Sequence, residues 1–388
     1  MTSCALVNAR VLTETGFVDD ASVVVKDGLI SELRTDGACG DVASTVDLKG
    51  GLLLPGFFDV QVNGGGGVLF NDEPTVEGVA AIAKAHRAYG TTSLLPTLIS
   101  DDLDKVALAI RAVDDAIEAG VPGVVGVHIE GPFLNETRKG VHDAGKLRPL
   151  TKDALAILTG ARRARVALTL APECVDMDDI RYLASRGVRV CAGHTNATYD
   201  ETKAALRSGV TGFTHLFNAM SPMLSRAPGV IPAALESEAW CGVIVDGLHV
   251  HPAMLRLALN AKADKRFMLV TDAMPCVGSE ADHFYLNGAR IHVRDGRCFS
   301  DDGTLAGAAL TMIDAVKNAV SMLSVDLETA SRMASAEPAA FMGVAHATGS
   351  IRAGKQADLV WLDRDLRVIG VWIRGARQTV RTRRPAVA

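Results

Sequence analysis

The chain has 388 residues, 48% of them hydrophobic, and a formal net charge of −5. This length and composition allow a large core and suggest about two domains. The mild charge gives no reason to expect a nucleic-acid partner. No apolar run approaches the roughly 18 residues that cross a bilayer, and the N-terminus lacks a signal-peptide pattern, so we expect no membrane association. Seven cysteines without a CxxC pair indicate a reduced, cytoplasmic protein rather than a disulfide framework.

The two ends of the chain contain strand-like segments. Residues 5–54 read as short strands with turns, and residues 357–363 and 368–380 have the same character. Neither end is long enough to build a core of its own. We therefore predict that residues 1–54 and 346–388 together form a small β-sandwich domain.

Eight short apolar runs, each ending in a polar or charged residue, occupy the centre of the chain. Segments with helical periodicity separate them, such as residues 76–90, 103–120 and 197–209. Alternation of strand and helix predicts a parallel sheet, and eight units predict a (β/α)8 TIM barrel over residues 55–345. The runs are residues 52–63, 92–98, 124–130, 166–173, 190–195, 212–219, 242–249 and 267–273.

The ends of the third, fifth and sixth runs carry Glu130, His194 and His215. The C-terminal ends of barrel strands meet at one mouth, and a carboxylate with two imidazoles is a normal shell for catalytic Zn²⁺. Fe²⁺, Co²⁺ or Mn²⁺ would suit the same ligands. No local motif of the HExxH kind is present, so the spacing alone leaves open that these residues are hydrogen-bonded parts of the barrel rim.

Asp272 ends the eighth run and is the candidate proton carrier. A carboxylate beside a metal can take a proton from the attacking water and later protonate the departing amine. The alternative is that Asp272 caps a helix that follows the strand, a role that suits Asp.

Eight segments around these residues carry a resemblance to a known family. They are LPGFFDVQVNG (54–64), HIEGPFLN (128–135), AGHTNAT (192–198), THLFNAMSPM (214–223), VDGLHV (245–250), VTDAM (270–274), DGTLAGAALTM (302–312) and GSIRAGKQADLVWL (349–362). With these segments in order along the chain, the sequence resembles the N-acetylglucosamine-6-phosphate deacetylases of the amidohydrolase superfamily. The most specific segments are HIEGPFLN, HLFNAM and DGLHV.

Gln61 and Asn63 occupy the positions at which many amidohydrolases place an HxH pair for a second metal. Neutral amides are poor ligands for a divalent transition metal compared with imidazole. The resemblance implies the same outcome, since one branch of the family has QxN here and binds one metal. We therefore expect one metal per subunit. Alternatively, the two amides only form hydrogen bonds at the barrel mouth.

The resemblance also implies roles in substrate binding. It assigns to His142 a hydrogen bond to the substrate carbonyl, which would support the oxyanion. It assigns Arg226 to the sugar phosphate of the neighbouring subunit's site, which implies a homodimer, and the planar guanidinium suits a phosphate. The remaining positions that it implies for the sugar and its phosphate are Val141, Asn218, Ala219, Asp246, His249, Leu305, Ala306 and Gly307.

The predicted function is metal-dependent hydrolysis of the acetamide of N-acetylglucosamine 6-phosphate, a small-molecule amino sugar phosphate. One alternative is a related amidohydrolase that acts on another N-acyl amino sugar phosphate or on a cyclic amide. HLFNAM and DGLH argue against the cyclic amide. Another alternative is a barrel that has lost catalysis and serves as an assembly scaffold. Such a protein would be expected to lose ligands, whereas Glu130, His194, His215 and Asp272 are all present.

Overall fold

The computed structural model describes residues 3–35 and 41–379. The predictions for residues 1–2, 36–40 and 380–388 lie outside the described residues. The chain begins with strands that pair into a sheet, and these strands contain runs of consecutive buried residues, such as residues 21–25. These strands are β1 (Ser3–Thr13), β2 (Gly16–Lys26), β3 (Leu29–Arg34) and β4 (Ser44–Pro55).

A parallel barrel follows, as predicted. Within residues 41–379, eight strands pair in the order β14, β13, β12, β11, β10, β9, β8, β5, and each of the eight apolar runs overlaps one of them. The barrel strands are β5 (Phe57–Val62), β8 (Thr91–Ile99), β9 (Gly126–Glu130), β10 (Arg165–Leu170), β11 (Arg189–Ala192), β12 (Val210–Phe213), β13 (Trp240–Val243) and β14 (Phe267–Leu269). A short hairpin of β6 (Gly64–Gly65) and β7 (Val68–Leu69) follows β5.

Helices connect the barrel strands and cover the outside of the barrel. Most begin at a Ser, Thr or Asp whose side chain accepts a backbone N–H, as in the capping box of Thr198 and Glu201. The described helices are α1 (Val76–Arg87), α2 (Leu103–Glu118), α3 (Lys152–Leu158), α4 (Met177–Ser185), α5 (Tyr199–Ser208), α6 (Val230–Leu235), α7 (Pro252–Ala261), α8 (Met312–Leu323), α9 (Leu327–Met333) and α10 (Ala336–Phe341). None of the helices in the described ranges combines the length and the apolar character that a membrane span requires.

A small antiparallel sheet follows the last barrel strand, and the sequence analysis did not anticipate it. Its strands are β15 (His283–Leu286), β16 (Ala289–Arg294), β17 (Arg297–Phe299) and β18 (Leu305–Ala308). Asn287-Gly288 and Asp295-Gly296 form its first two turns with positive φ at all four residues, which is the usual sequence signal of a two-residue hairpin. β18 is hydrogen-bonded to the barrel mouth, because Ala308 N–H donates to the carbonyl of Asp272 at 2.9 Å.

The C-terminal strands complete the sheet that the N-terminal strands begin. They are β19 (Leu359–Leu362), β20 (Val368–Ile373) and β21 (Ala376–Gln378). The described parts of both chain ends form one sheet in the order β21, β20, β19, β4, β1, β2, β3, and they share a core that includes Val23, Leu53 and Trp361. We propose residues 1–54 with 346–388 as the small domain and residues 55–345 as the barrel domain.

Candidate active site

The barrel mouth encloses a cavity of about 290 Å³. The C-terminal ends of the strands form its floor, and β18 and the loop around residue 141 form part of its wall. Most of the residues predicted from the sequence meet here. The predicted residues that line the cavity are Asn63, Glu130, Val141, His142, His194, His215, Asn218, Ala219, His249, Asp272, Leu305 and Gly307.

Glu130, His194 and His215 converge on one point of the floor. The Nε2 atoms of the two imidazoles lie 3.0 Å apart, and they lie 3.2 Å (His194) and 3.0 Å (His215) from Oε1 of Glu130. All three side chains are buried. Their donor atoms lie within 4.8 Å of one another, and this group of residues could hold a metal ion. Two nitrogen donors and one carboxylate oxygen are the donor set that a transition metal such as Zn²⁺ prefers.

The local electrostatics favour positive charge at this point. Burial lowers the pKa of His215, but its hydrogen bond to Glu130 and the negative charge of that residue outweigh burial and leave the pKa raised. Burial raises the pKa of Glu130, but the hydrogen bonds from His194 and His215 outweigh it, and the pKa lies well below its usual value. An ionised carboxylate beside two imidazoles stabilises a proton or a metal cation placed between them.

The backbone around His194 fixes the direction of its ring. Nδ1 of His194 lies 2.8 Å from the carbonyl of Arg138 and donates to it, so Nε2 is the ring nitrogen that faces Glu130 and the cavity. His194 and His215 both have positive φ, 47° and 32°, a conformation that non-glycine residues rarely adopt and that is often found at functional sites.

Glu173 holds the segment that carries His194, and the sequence analysis gave it no role. Its carboxylate accepts hydrogen bonds from Thr195 Oγ1 at 2.5 Å, from the Asn196 backbone N–H at 2.5 Å and from Asn135 Nδ2 at 3.0 Å. It therefore links the segments that follow β9, β10 and β11. The available signal was its position at the end of the fourth apolar run, which matches the position of Glu130 in the third.

Asp272 lies in the same cavity and caps no helix, because the next helix of the described chain, α8, begins 40 residues later at Met312. Its Oδ1 accepts hydrogen bonds from Asn63 Nδ2 at 2.6 Å and from Gln61 Nε2 at 3.2 Å. Burial and the negative charge of Glu130 raise the pKa of Asp272 to about 6. A carboxyl group with such a pKa can both accept and donate a proton near neutral pH.

Gln61 and Asn63 present their NH₂ groups to the carboxylates. Gln61 Nε2 also donates to both oxygens of Glu130, at 3.2 and 3.1 Å. These amide groups therefore lie where a second cation would contact the same carboxylates, and they offer hydrogen atoms instead of lone pairs. The orientation of each amide follows from its hydrogen-bond partners.

His142 is oriented as a hydrogen-bond donor. Its Nδ1 accepts the backbone N–H of Ser100 at 3.3 Å and lies 2.7 Å from the Ser100 hydroxyl. In a neutral imidazole the proton is then on Nε2. Burial, followed by the positive field of His194, holds the pKa of His142 well below its usual value. The ring lies beside that of His194, with centroids 4.4 Å apart.

Three of the predicted substrate contacts do not line the cavity. Asp246 supports His249 instead: its Oδ2 lies 2.6 Å from Nδ1 of His249, which leaves Nε2 of the ring as the atom available for other contacts. Ala306, in β18, is fully buried in a hydrophobic cluster. Arg226 is exposed and lines a separate groove beside Tyr199 and Asp200, outside the cavity of its own chain.

His128 is a further buried residue that the sequence analysis did not interpret. It lies two residues before Glu130 on β9 and points into the barrel, where its Nε2 lies 2.7 Å from Thr169 Oγ1. Thr169 in turn lies 2.6 Å from Thr214 Oγ1, next to His215. Burial lowers the pKa of His128 to about 4, so the ring is neutral. This chain of polar groups lies beneath the metal-binding group.

The fold and the site identify the class of protein. Residues 52–377 match the model of the amidohydrolase family, a family of metal-dependent hydrolases, and the chain belongs to it. It is 41% identical over 371 residues to N-acetylgalactosamine-6-phosphate deacetylase of Shewanella sp. (strain ANA-3), with 95% of this chain and 94% of that protein covered.

Two further comparisons concern the other amino sugar. The chain is 34% identical over 374 residues to N-acetylglucosamine-6-phosphate deacetylase of Haemophilus influenzae, with 96% of this chain and 98% of that protein covered. The crystal structure of N-acetylglucosamine-6-phosphate deacetylase from Pasteurella multocida superposes with a TM-score of 0.94 at 36% identity, covering 97% of this chain and all of that one.

Proposed function

We propose that this amidohydrolase hydrolyses the acetamide of N-acetylglucosamine 6-phosphate to glucosamine 6-phosphate and acetate. The observation that carries the proposal is that Glu130, His194, His215 and Asp272 meet in one cavity at the barrel mouth. Full-length similarity to deacetylases of 6-phosphorylated N-acetylhexosamines supports the substrate class.

N-acetylgalactosamine 6-phosphate is the second candidate substrate. It differs from the first only in the configuration at C4, and it is the substrate in the name of the relative that is 41% identical. The acetamide and the phosphate are common to both sugars, so the same chemistry applies to either.

The cation we propose is one Zn²⁺ per chain, held by Glu130, His194 and His215. When bound, it supplies Lewis acidity that polarises the acetamide carbonyl and lowers the pKa of water. Fe²⁺, Co²⁺ and Mn²⁺ suit the same donors. The NH₂ groups of Gln61 and Asn63 on the carboxylate side support a single metal.

Asp272 and His142 carry the proton movements in this proposal. Asp272 takes a proton from water as the water oxygen attacks the acetamide carbon. Nε2–H of His142 donates a hydrogen bond to the carbonyl oxygen, where negative charge develops. When the carbon–nitrogen bond breaks, Asp272 returns its proton to the departing nitrogen, and acetate and the free amine leave.

The phosphate and the sugar would be held at the outer part of the cavity. Nε2 of His249, Asn218 and the backbone of Ala219 line it, as do Val141, Leu305 and Gly307. Arg226 does not line the cavity of its own chain, and we propose that it reaches the phosphate in the partner site of a homodimer. The exposed apolar residues Met223 and Leu224 beside it suit a subunit interface.

We also propose a cytoplasmic location. The six cysteines in the described part of the chain are free thiols, which suits a reducing compartment.

Acetate release from a panel of N-acetyl amino sugars, with and without the 6-phosphate, tests the function. We expect turnover of N-acetylglucosamine 6-phosphate and much slower turnover of the unphosphorylated sugar. A higher kcat/KM for the galactosamine isomer would select the second candidate, and failure of metal-loaded protein to release acetate from any 6-phosphate would refute the proposal.

Elemental analysis tests the metal. Purified, metal-saturated protein should carry close to one tightly bound transition metal per chain, and His194→Ala or His215→Ala should lose it because two donors cannot retain the ion. His251→Ala, at an exposed histidine, is the control. Two tight equivalents in the wild type would contradict the single site. Changing Gln61 and Asn63 together to His should raise the stoichiometry, because imidazole supplies the missing ligands.

Asp272→Asn tests the proton carrier. The change keeps the size of the side chain and removes its basicity, so single-turnover rates should fall by at least roughly 10²–10⁴-fold. Metal content and calorimetric binding of the 6-phosphate sugar should persist. Asp301→Asn, at an exposed carboxylate, should leave the rate unchanged. Activity within a few-fold of wild type would exclude Asp272 from the mechanism, and loss of metal would make it a ligand.

Arg226→Ala tests the phosphate contact. Losing charge-assisted hydrogen bonds should lower kcat/KM for the 6-phosphate sugar by at least about 10-fold, with little effect on the unphosphorylated sugar. Arg207→Ala, at an exposed arginine in α5, is the control. Equal losses on both sugars would show a different role.

Mixed dimers test whether Arg226 acts across the interface. A dimer of one Arg226→Ala chain and one Asp272→Asn chain has one complete site, so mixing the two impaired proteins should raise activity above that of either variant alone. Absence of any gain, with subunit exchange verified by mass spectrometry, would place Arg226 in its own subunit's site or away from both.

A further inference from the structure

The barrel is closed at one seam by isolated contacts. Within residues 41–379, no strand ladder joins β14 to β5, the two strands at the ends of the sheet order. An isolated bridge between Val62 and Ala273 and a hydrogen bond from Asp272 N–H to the Gln61 carbonyl, 3.0 Å long, cross the seam. The residues that follow β14 at this seam include Asp272, so the proposed proton carrier stands where the barrel backbone is least continuous.

A buried carboxylate spans the seam just below Asp272. Asp59, in the middle of β5, is fully buried. Its Oδ2 accepts the hydroxyl hydrogen of Thr271 at 2.5 Å, and its Oδ1 accepts the backbone N–H of Thr271 at 3.3 Å and that of Gln61 at 3.2 Å. Two of its three donors therefore belong to the residue immediately before Asp272.

The Thr271 hydroxyl also contacts the residue that follows Asp272. It accepts the backbone N–H of Ala273 at 3.3 Å while it donates to Asp59. Asp272, between these two bonded residues, has φ 51°, a conformation that costs free energy for a residue with a Cβ and needs support from its surroundings. The hydroxyl of Thr271 therefore links Ala273, at the end of this turn, to Asp59 of β5.

A carboxylate buried without a cationic partner is costly, and an amide of the same size would avoid most of that cost. The contacts of Asp59 among the described residues are hydroxyl and backbone donors, with no basic side chain. Both oxygens of Asp59 act as acceptors in the structure, and together they hold the hydroxyl of Thr271 in one orientation. That orientation frees the lone pair of the hydroxyl for Ala273.

We infer that Asp59 and Thr271 are positioning residues: their hydrogen bond fixes the turn that aims the Asp272 carboxylate at the reacting water. The inference rests on the proposed function of Asp272. A misplacement of about 1 Å at a catalytic group can cost on the order of 100-fold in rate. Loss of the bond should therefore lower kcat while leaving the metal ligands and the sugar contacts in place.

Thr271→Val removes the hydroxyl and keeps the shape of the side chain. We expect kcat to fall about 10- to 100-fold, with KM and metal content within about 3-fold of wild type. Thr271→Ser keeps the hydroxyl and should retain activity. Thr202→Val is the matched control, because Thr202 is equally buried and its hydroxyl bonds the Thr198 carbonyl in α5. Asp59→Asn should behave like Thr271→Val, and the double variant should lose little more than either single one.

Hydrogen exchange supplies a readout that is independent of turnover. The amides of Asp272 and Ala273 should exchange faster in Thr271→Val than in wild type, Thr271→Ser or Thr202→Val, measured by mass spectrometry on the peptide that spans residues 270–274. Unchanged exchange, or a kcat within about 3-fold of wild type, would overturn the inference. So would a fall in metal content or a rise in KM as large as the fall in kcat.

If Thr271→Val does not fold, the same measurements are made on Asp59→Asn. Wild-type protein that is inactive on every 6-phosphate sugar would refute the proposed function, and the exchange result would still decide the positioning.

Discussion

The burial of the Glu130 carboxylate is the constraint on which the rest of the site depends. An unpaired charge in a barrel interior is costly, so the surroundings must supply donors or positive charge. Two imidazoles and the amide of Gln61 do so, each within about 3.2 Å. The same arrangement turns the imidazole nitrogens toward one point and makes that point favourable for a cation. The imidazoles that stabilise the buried Glu130 carboxylate therefore also complete the metal-binding group.

Around this group, hydrogen bonds with neighbouring residues hold four of the functional side chains. The Arg138 carbonyl holds His194, Ser100 holds His142, Asp246 holds His249 and Asn63 holds Asp272. Each of these contacts fixes which atom of the functional side chain faces the cavity. The substrate would therefore meet groups whose tautomers and directions are set before it binds, which is the condition for effective electrostatic catalysis.

Much of the fold could be predicted from the sequence because each barrel strand is a short apolar run whose end carries the chemistry. Each of the eight runs overlaps a barrel strand, and Glu130, His194, His215 and Asp272 come together. Glu173 was missed because its partners follow two other strands, β9 and β11, and run ends alone do not reveal such contacts. The β15–β18 sheet was missed although Asn287-Gly288 and Asp295-Gly296 signal hairpins, because residues 55–345 were assigned as a whole to the barrel. Family resemblance gives positions rather than contacts. It therefore placed Asp246 among the substrate contacts, although Asp246 bonds His249 and does not line the cavity.

Two kinds of segment enclose the cavity. The strand ends of the barrel carry the metal-binding group and Asp272, whereas β18 and the loop at Val141 and His142 form much of the wall. Strand ends are constrained by the barrel on both sides, and loops and an inserted sheet are free to change without disturbing it. A family with this layout can alter its preference at C4 of the sugar by changing the wall alone. Similar relatives named for glucosamine and for galactosamine are therefore expected to share one floor and to differ in the segments above it.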